Sequence, residues 1–578
     1  MTQKELMLAN FALARGAYEA GVKVASAYPG TPSTEITESI AQYKEIYSEW
    51  SPNEKVALEV AAGASIAGVR ALCSMKHVGL NVAADPLFTA SYTGVNGGLV
   101  LAVADDPGMH SSQNEQDSRY YGLSAHVPVL EPCNAQECKD FTVLAFDLSE
   151  KYDTPIIVRL TTRVAHSQSE VTLQERREKA DKEYKKDIAK YAMMPAQAKL
   201  RHIEVEKRMS ALLRDCNDLT INKIEYNDSK LGVICSGAVY NYVKEVLPSA
   251  SIFKLGMVHP LPYGRIAEFA SRVSEVLVIE ELEPFIENSL KAKGIACHGK
   301  EIFGVQGEIT AAVIKEKLLD IPRAKADTSL PMRPPVMCPG CSHRGVFYVL
   351  NKLKLTVTGD IGCYTLGALA PLSALDTCVC MGASIGMAHG FDKAKQGVSK
   401  KTVAVIGDST FVHSGITGLI NSVYNKGAST VIIMDNSITG MTGHQQHPGT
   451  GVTLKGEATH KLDLVKLCEA IGVKNIRVVD AYDILSLEKT LKEELEKEEV
   501  SVIIAQKSCV LIRRQKLRPY KIIAENCRYC KACLRIGCPA IENHKTTVKI
   551  NRALCTGCGV CAQLCKFGAI AAEDSNEY

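Results

Sequence analysis

The stretch "TVAVIGDSTFVHSGITGLINSVYNKGASTVIIMDNSITGMTG", residues 402–443, decides the fold. Residues 402–407 form a short run rich in β-branched side chains, which reads as a buried strand. Ile416, Leu419, Ile420, Val423 and Tyr424 then recur at helical spacing, and Gly427 is placed to end the helix. Thr430 to Met434 reads as a second buried strand. Strand, helix and strand in this order make a right-handed crossover with the two strands parallel, and such sheets bind ligands beyond the carboxyl ends of their strands. Asp408 follows the first strand and Asp435-Asn436 the second. A carboxylate, an amide oxygen and a backbone carbonyl suit Mg²⁺ that also holds phosphate oxygens. Polar groups that merely end two strands would look the same in sequence.

The stretch is similar to the thiamine diphosphate motif, GDG followed by a distant N. Gly407-Asp408-Ser409 precedes Asp435-Asn436 by 25 residues, with serine in place of the third motif residue. On that resemblance the side chains of Asp408 and Asn436 and the carbonyl of Ile438 bind the metal, with Gly407 and Ser409 in the same loop. Thiamine enzymes also need a carboxylate that protonates the aminopyrimidine, held where the dielectric is low. "NEKVALEVAAGASIAGVRAL", residues 53–72, offers Glu54 at the start of a helix dense in alanine and glycine. Glu54 stands nine positions before Gly63, the offset seen in many thiamine enzymes. Glu59 is the competing carboxylate, and a solvated helix charge is the plain alternative for either.

Working outward, 578 residues are too many for one core, which implies several domains. Net charge is 67 − 64 = +3, giving no reason to expect nucleic acid. The first residues lack a signal-type apolar stretch, and no run approaches the ~18 apolar residues that span a bilayer, so neither membrane nor export is expected. The 21 cysteines are the anomaly. In a cytoplasmic protein thiols stay reduced, so metal ligation is expected in place of disulfides.

Cys527-x2-Cys530-x2-Cys533-x4-Cys538-Pro is followed by Cys555-x2-Cys558-x2-Cys561-x3-Cys565. Three cysteines in one tight loop grip three corners of a cubane, and the fourth reaches the other cluster, as in two-cluster bacterial ferredoxins. One [4Fe–4S] cluster is thus expected on Cys527, Cys530, Cys533 and Cys565, and another on Cys555, Cys558, Cys561 and Cys538. The first run has x4 where x3 is usual, and Lys566 stands where the second run would carry proline. From Arg513 to Tyr578 there are 12 Lys/Arg against 5 Asp/Glu. That excess either steers an acidic ferredoxin or offsets the anionic clusters.

"AYPGTPSTE", "MKHVGLNVAADPL", "NEQDSRYYG", "CPGCSHRG", "GDIGCYTLG" and "MTGHQ" together resemble the 2-oxoacid:ferredoxin oxidoreductases, most of all the large subunits that act on arylpyruvates such as indolepyruvate. The resemblance implies oxidative decarboxylation of an arylpyruvate with coenzyme A, giving the aryl-acetyl-CoA, CO₂ and reduced ferredoxin. It implies that Thr31 faces the thiazolium and the substrate carboxylate, and that Asn114 to Arg119 line the same pocket. It implies a third, proximal [4Fe–4S] cluster on Cys338, Cys341, Cys363 and Cys509, with Cys363 beside the thiamine. A zinc site using His343, or free cysteines in a Pro-Gly turn, remains open for "CPGCSHRG". A gamma-type domain is missing, so a small beta subunit is expected to supply it in an α2β2 assembly. The rivals are pyruvate or branched-chain specificity, non-oxidative decarboxylation, and an iron–sulfur carrier on an inert scaffold.

The expected fold class is α/β. Residues 1–190 form a doubly wound pyrimidine-binding domain, and 191–230 a helical connector. Residues 231–330 form a smaller α/β domain of the transketolase C-terminal kind, without a glycine-rich nucleotide fingerprint. Residues 331–512 form the doubly wound diphosphate- and Mg-binding domain, and 513–578 the two-cluster ferredoxin module. The charge-rich stretch from 170 to 215 reads as a solvated helical arm.

Overall fold

The computed structural model describes residues 3–324, 327–331, 333–513 and 517–573. Of the charges counted in the basic C-terminal stretch, Arg514, Lys516, Asp574 and Glu577 lie outside the described residues. The chain divides into two compact units, Met1–Asp327 and Thr328–Tyr578. No helix among the described residues is long and apolar enough to cross a membrane.

The first unit is built on a seven-stranded sheet. Its parallel strands run, in spatial order, Val129–Leu130, Ile156–Thr161, Leu99–Asp105, Ala71–Lys76, Val24–Ala27 and Tyr47–Trp50. These strands are apolar throughout their centres because helices cover both faces. Val100 and Ala102 point to the helices Ala9–Glu19 and Ala135–Tyr152, whereas Leu101 and Val103 point to Glu54–Ala67 and Ala84–Thr93. Alternation of side chains along a strand thus feeds two cores.

A second sheet in this unit has the order Glu275–Ile279, Asp228–Ser236, Ala250–Leu255, Lys223–Glu225. Its bounds differ from those expected for a separate domain at 231–330. Lys223–Glu225 comes from the supposed connector, and Met257–His259 leaves to join the edge of the first sheet antiparallel to Val129–Leu130. The solvated helical arm also needs correction. Pro195–Asp215 is a helix, but it buries Val205, Arg208 and Leu212, and Arg208 donates to the carbonyls of Asp153 and Ser91. Residues 173–187 carry no helix. The Arg177 amide donates to the Glu19 carbonyl at 2.9 Å and the Lys182 amide to the Gly68 carbonyl at 3.0 Å. Main-chain pairing there overrides the helix propensity of the charged side chains.

The second unit carries a six-stranded parallel sheet ordered Thr377–Cys378, Thr356–Gly359, Thr402–Gly407, Thr430–Asp435, Ser501–Gln506, Asn475–Asp480. Val403, Val405, Ile432 and Met434 face the helices His343–Leu353 and Ile484–Glu494. Ala404, Ile406, Val431 and Ile433 face Ala383–Ala394, Ile416–Tyr424 and Leu464–Ile471. The crossover read from residues 402–434 is therefore present, at the centre of the sheet. The cysteine-rich segment that follows holds two short antiparallel ribbons, Tyr520–Ile522 with Ile570–Ala572 and Ile541–Asn543 with Val548–Ile550. Its Ile536 and Val560 share a core with Phe347 and Leu350.

Candidate functional site

Asp408 directly follows the strand Thr402–Gly407 and is buried. Its Oδ2 accepts from the Ser437 amide at 2.9 Å and lies 3.3 Å from His447 Nε2. Asp435 Oδ1 accepts from the same amide at 2.9 Å, and Gln506 donates to its other oxygen at 2.7 Å. Burial raises the Asp408 carboxyl above its ordinary range, and Asp435 adds to this while His447 opposes it. Ser437 adopts a left-handed backbone, φ +58°, a conformation costly for a non-glycine residue and common at functional turns. The turn brings the Ile438 amide to Asn436 Oδ1 at 3.3 Å, and Ser409 Oγ lies 2.8 Å from Thr439 Oγ1. Gly407, Asp408, Ser409, Asn436 and Ile438 are thus gathered at the carboxyl ends of two adjacent strands. Among the described residues no three Asp, Glu, His or Cys side chains converge as an ion shell. That suits a magnesium ion whose remaining ligands are an amide, a carbonyl, water and phosphate.

His343 is buried, its Nε2 lies 3.5 Å from Asn436 Nδ2, and its ring meets Tyr364 edge-on at 5.8 Å. Burial lowers its pKa to about 4, so the imidazole is neutral. The cysteines have other neighbours. Burial first, then Cys509 and Cys338, push the Cys363 thiol up to about 11. Burial first, with Cys363 and Cys338 adding to it, takes Cys341 to about 12. Cys338, Cys341, Cys363 and Cys509, from three segments, are thus brought into one neighbourhood, and four thiolates there suit a cubane or a tetrahedral ion alike. The group borders the turn after the strand Thr430–Asp435. The Cys509 amide donates to the Asn436 carbonyl at 2.9 Å, and a Cβ on Gly440 would lie 3.4 Å from Cys363 Sγ.

The eight C-terminal cysteines lie within one segment of short ribbons and turns. Burial, then Cys530, Cys565 and Cys527, raise Cys533, and a cavity is lined by these same four. Burial, then Cys558, Cys538 and Cys555, push Cys561 up to about 12. Amides of Tyr520 and Ala569 donate to the sulfurs of Cys555 and Cys565 at 3.3 and 3.2 Å. The extra residue of the x4 spacing is absorbed at Gly537, which turns with φ +65°, a conformation glycine adopts without strain.

In the first unit Glu54 is 4% exposed and opens the helix Glu54–Ala67, where Asn53 caps by accepting from the Val56 amide at 3.0 Å. Gly79 makes room for it: a Cβ there would stand 2.5 Å from Glu54 Oε1. Glu59 is exposed and pairs with Lys55, which leaves it as the solvated charge. The Thr31 carbonyl accepts from Ser111 Oγ at 3.2 Å. Lys76, which ends the strand Ala71–Lys76, donates to the Ser111 carbonyl at 2.7 Å and lies 4.0 Å from Asp106. Burial drives the Lys76 ammonium down to about 8 against the pull of Asp106. Glu54 and Thr31 both stand at the carboxyl side of this sheet.

Of the stretch Asn114 to Arg119 expected to line the pocket, Asn114 to Gln116 are accessible. Asp117, Ser118 and Arg119 are buried. The Arg119 guanidinium is taken up by Asp117 and Glu280, each at 2.6 Å, and by the Glu281 carbonyl at 3.0 Å. Sequence reading also missed His447 and Lys76. "MKHVGLN" and "MTGHQQHP" carried the only signal, polar residues among glycines next to apolar runs.

Residues 15–221 match the family model for pyruvate flavodoxin/ferredoxin oxidoreductase, thiamine diphosphate-binding. Residues 360–505 match that for the C-terminal TPP-binding domain of thiamine pyrophosphate enzymes, and 548–571 that for the 4Fe-4S binding domain. The indolepyruvate oxidoreductase subunit IorA of Archaeoglobus fulgidus is 40% identical over 99% of this chain and 98% of its own. That of Pyrococcus horikoshii is 41% identical over 98% and 96%. The 2-oxoglutarate synthase subunit KorA of Methanothermobacter thermautotrophicus is 30% identical, over only 30% of this chain and 49% of its own. A solved 2-oxoglutarate:ferredoxin oxidoreductase from Magnetococcus marinus superposes with a TM-score of 0.48 at 18% identity, covering 55% of this chain and 65% of that one. With identity of about two residues in five sustained from end to end, and with thiamine- and 4Fe–4S-binding domains in their expected order, the chain belongs to the indolepyruvate oxidoreductase large subunits of the 2-oxoacid:ferredoxin oxidoreductase family.

Proposed function

We propose that the chain, with a small beta subunit carrying a gamma-type domain in an α2β2 assembly, oxidises arylpyruvates in the cytoplasm. One 2-oxoacid and one coenzyme A thiol would yield the aryl-acetyl-CoA, CO₂ and a proton, and two electrons would pass singly to ferredoxin. The observation that carries the oxidative reading is the contact between cysteines and metal loop: Cys509 bonds to the Asn436 carbonyl and Cys363 lies beside Gly440. A decarboxylase that released aldehyde would have no use for that adjacency.

When bound, thiamine diphosphate supplies a nucleophilic carbon and an electron sink, and the clusters accept electrons one at a time. The chain's own residues do the rest. Asp408, Asn436 and the Ile438 carbonyl would hold Mg²⁺, and the loop of Gly407 and Ser409 would take the diphosphate. Glu54, shielded from water, would keep a proton at the aminopyrimidine nitrogen. Thr31 would orient the substrate carboxylate. Cys338, Cys341, Cys363 and Cys509 would hold the proximal cluster, and the two C-terminal sets the others.

An anaerobic panel of 2-oxoacids, with and without the beta subunit, tests this. Ferredoxin reduction that requires coenzyme A and favours indolepyruvate or phenylpyruvate is expected. Preference for pyruvate or branched-chain acids would overturn the specificity, and free aldehyde without reduced ferredoxin would overturn the reaction.

A further inference from the structure

Arg344 is 4% exposed and lies three residues beyond Cys341, in the helix His343–Leu353. Its guanidinium spends its donors on main-chain carbonyls. Nε donates to Cys338 and Nη1 to Ile536, each at 3.2 Å, while Nη1 also reaches Gly537 and Nη2 reaches Met337. Two of these carbonyls belong to the "CPGC" turn and its approach, and two to the segment that delivers Cys538. The sulfurs of Cys538, Cys341, Cys338 and Cys558 lie near enough to act on the guanidinium charge. The two turns touch as well, since a Cβ on Gly340 would fall 2.0 Å from Thr556 Oγ1, inside the "CTGC" turn.

No carboxylate among the described residues pairs with Arg344, the one buried arginine among the described residues of the second unit. Arginine does not give up its proton in a protein, and a buried cation without an anion is strongly unfavourable. Its charge must therefore be met by something other than a side-chain carboxylate. A cubane ligated by four thiolates carries net negative charge, one unit more when reduced, and its potential follows the charge around it.

We infer that Arg344 is a positioning residue for electron transfer, a fixed positive charge between the cluster of the CPGC turn and the cluster of the CTGC turn that favours the reduced form of both. The inference rests on the cluster assignments proposed above. The outer cluster, on Cys527, Cys530, Cys533 and Cys565, has none of its ligands against Arg344 and serves as an internal control.

Anaerobic redox titration of the assembled holoenzyme, followed by electron paramagnetic resonance with iron quantitation, reads the effect. Arg344→Met should lower the reduced-to-oxidised ratio of the flanking clusters about tenfold at fixed potential, which is about 59 mV for one electron. The outer cluster should stay in place, and Arg344→Lys should remain near wild type. An unshifted Arg344→Met with full iron overturns the inference, as does an equal shift of all three clusters. If Arg344→Met loses iron, Arg344→Lys against Arg344→Gln decides, because both keep donors and only lysine keeps the charge. Equal potentials in that pair, or iron loss from every variant, mark a structural clip and overturn the inference. Eight irons in the wild type would remove the CPGC cluster from the proposed function yet leave the CTGC cluster to be shifted, so the two failures are separable.

Discussion

Two carboxylates, Glu54 and Asp408, concentrate the chemistry proposed for single residues. Glu54→Gln removes the proton while keeping the shape against Gly79. Exchange of the C2 proton of bound thiamine diphosphate should slow by ~10²–10⁴-fold, the usual scale of general acid–base catalysis, with iron content unchanged. Glu59→Gln should exchange as wild type does, since Glu59 pairs with Lys55 at the surface. The opposite outcome would reverse the assignment. Asp408→Ala should weaken Mg²⁺ and thiamine diphosphate together, by about 100-fold or more, because the ion joins the protein to the diphosphate. Calorimetric titration that found unchanged cofactor affinity would discard the ligand role. Both residues were legible in sequence because each follows a strand or opens a helix within a local motif. His447 and Lys76 were not, since His447 reaches Asp408 from a loop 39 positions on (447 − 408) and Lys76 meets Ser111 only through the fold.

The two sheets of the first unit meet over a buried charge network. Arg159, within the strand Ile156–Thr161, pairs with Asp105 at 2.7 Å and Glu131 at 2.8 Å, and Arg119 pairs with Glu280 beyond the strand Glu275–Ile279. Burial, with Glu131 adding to it and Arg159 opposing it, lifts the neighbouring Glu281 carboxyl to about 7. Its folded pKa is thus raised above the unfolded value, so its contribution to stability is full below about pH 4.5 and is lost as pH rises through about 7. Glu281→Gln, which keeps the acceptor for the Ile309 amide, should raise the thermal midpoint of the anaerobic protein by a few °C at pH 8 and hardly at all at pH 5. An equal gain at both pH values would show that the carboxyl does not titrate there. Such a network is illegible in sequence. The resemblance makes "DSRYYG" a pocket wall, and only the second sheet reveals that Arg119 is consumed inside.

At the scale of the molecule, the cysteines set a count. Anaerobic iron analysis should give about twelve irons per chain, against about eight if only the C-terminal sets bind clusters. Cys509→Ser should lower the count and block ferredoxin reduction while leaving the two C-terminal clusters in spectra. Fully active wild type with eight irons would end the three-cluster reading. The C-terminal pairing was open to sequence because cubane ligation is local, three cysteines to a loop, whereas the proximal set draws on three segments and became visible by resemblance. The stretch from 170 to 187 shows the converse, a segment whose composition concealed its path. It is dense in lysine and arginine and mostly exposed, so it presents many cleavage points to trypsin. A protease must draw such a segment into its own groove, and the amides of Arg177 and Lys182 are already committed to Glu19 and Gly68. A stretch composed to be nicked is thus pinned at Arg177 and Lys182, and cutting it requires first lifting it from Glu19 and Gly68.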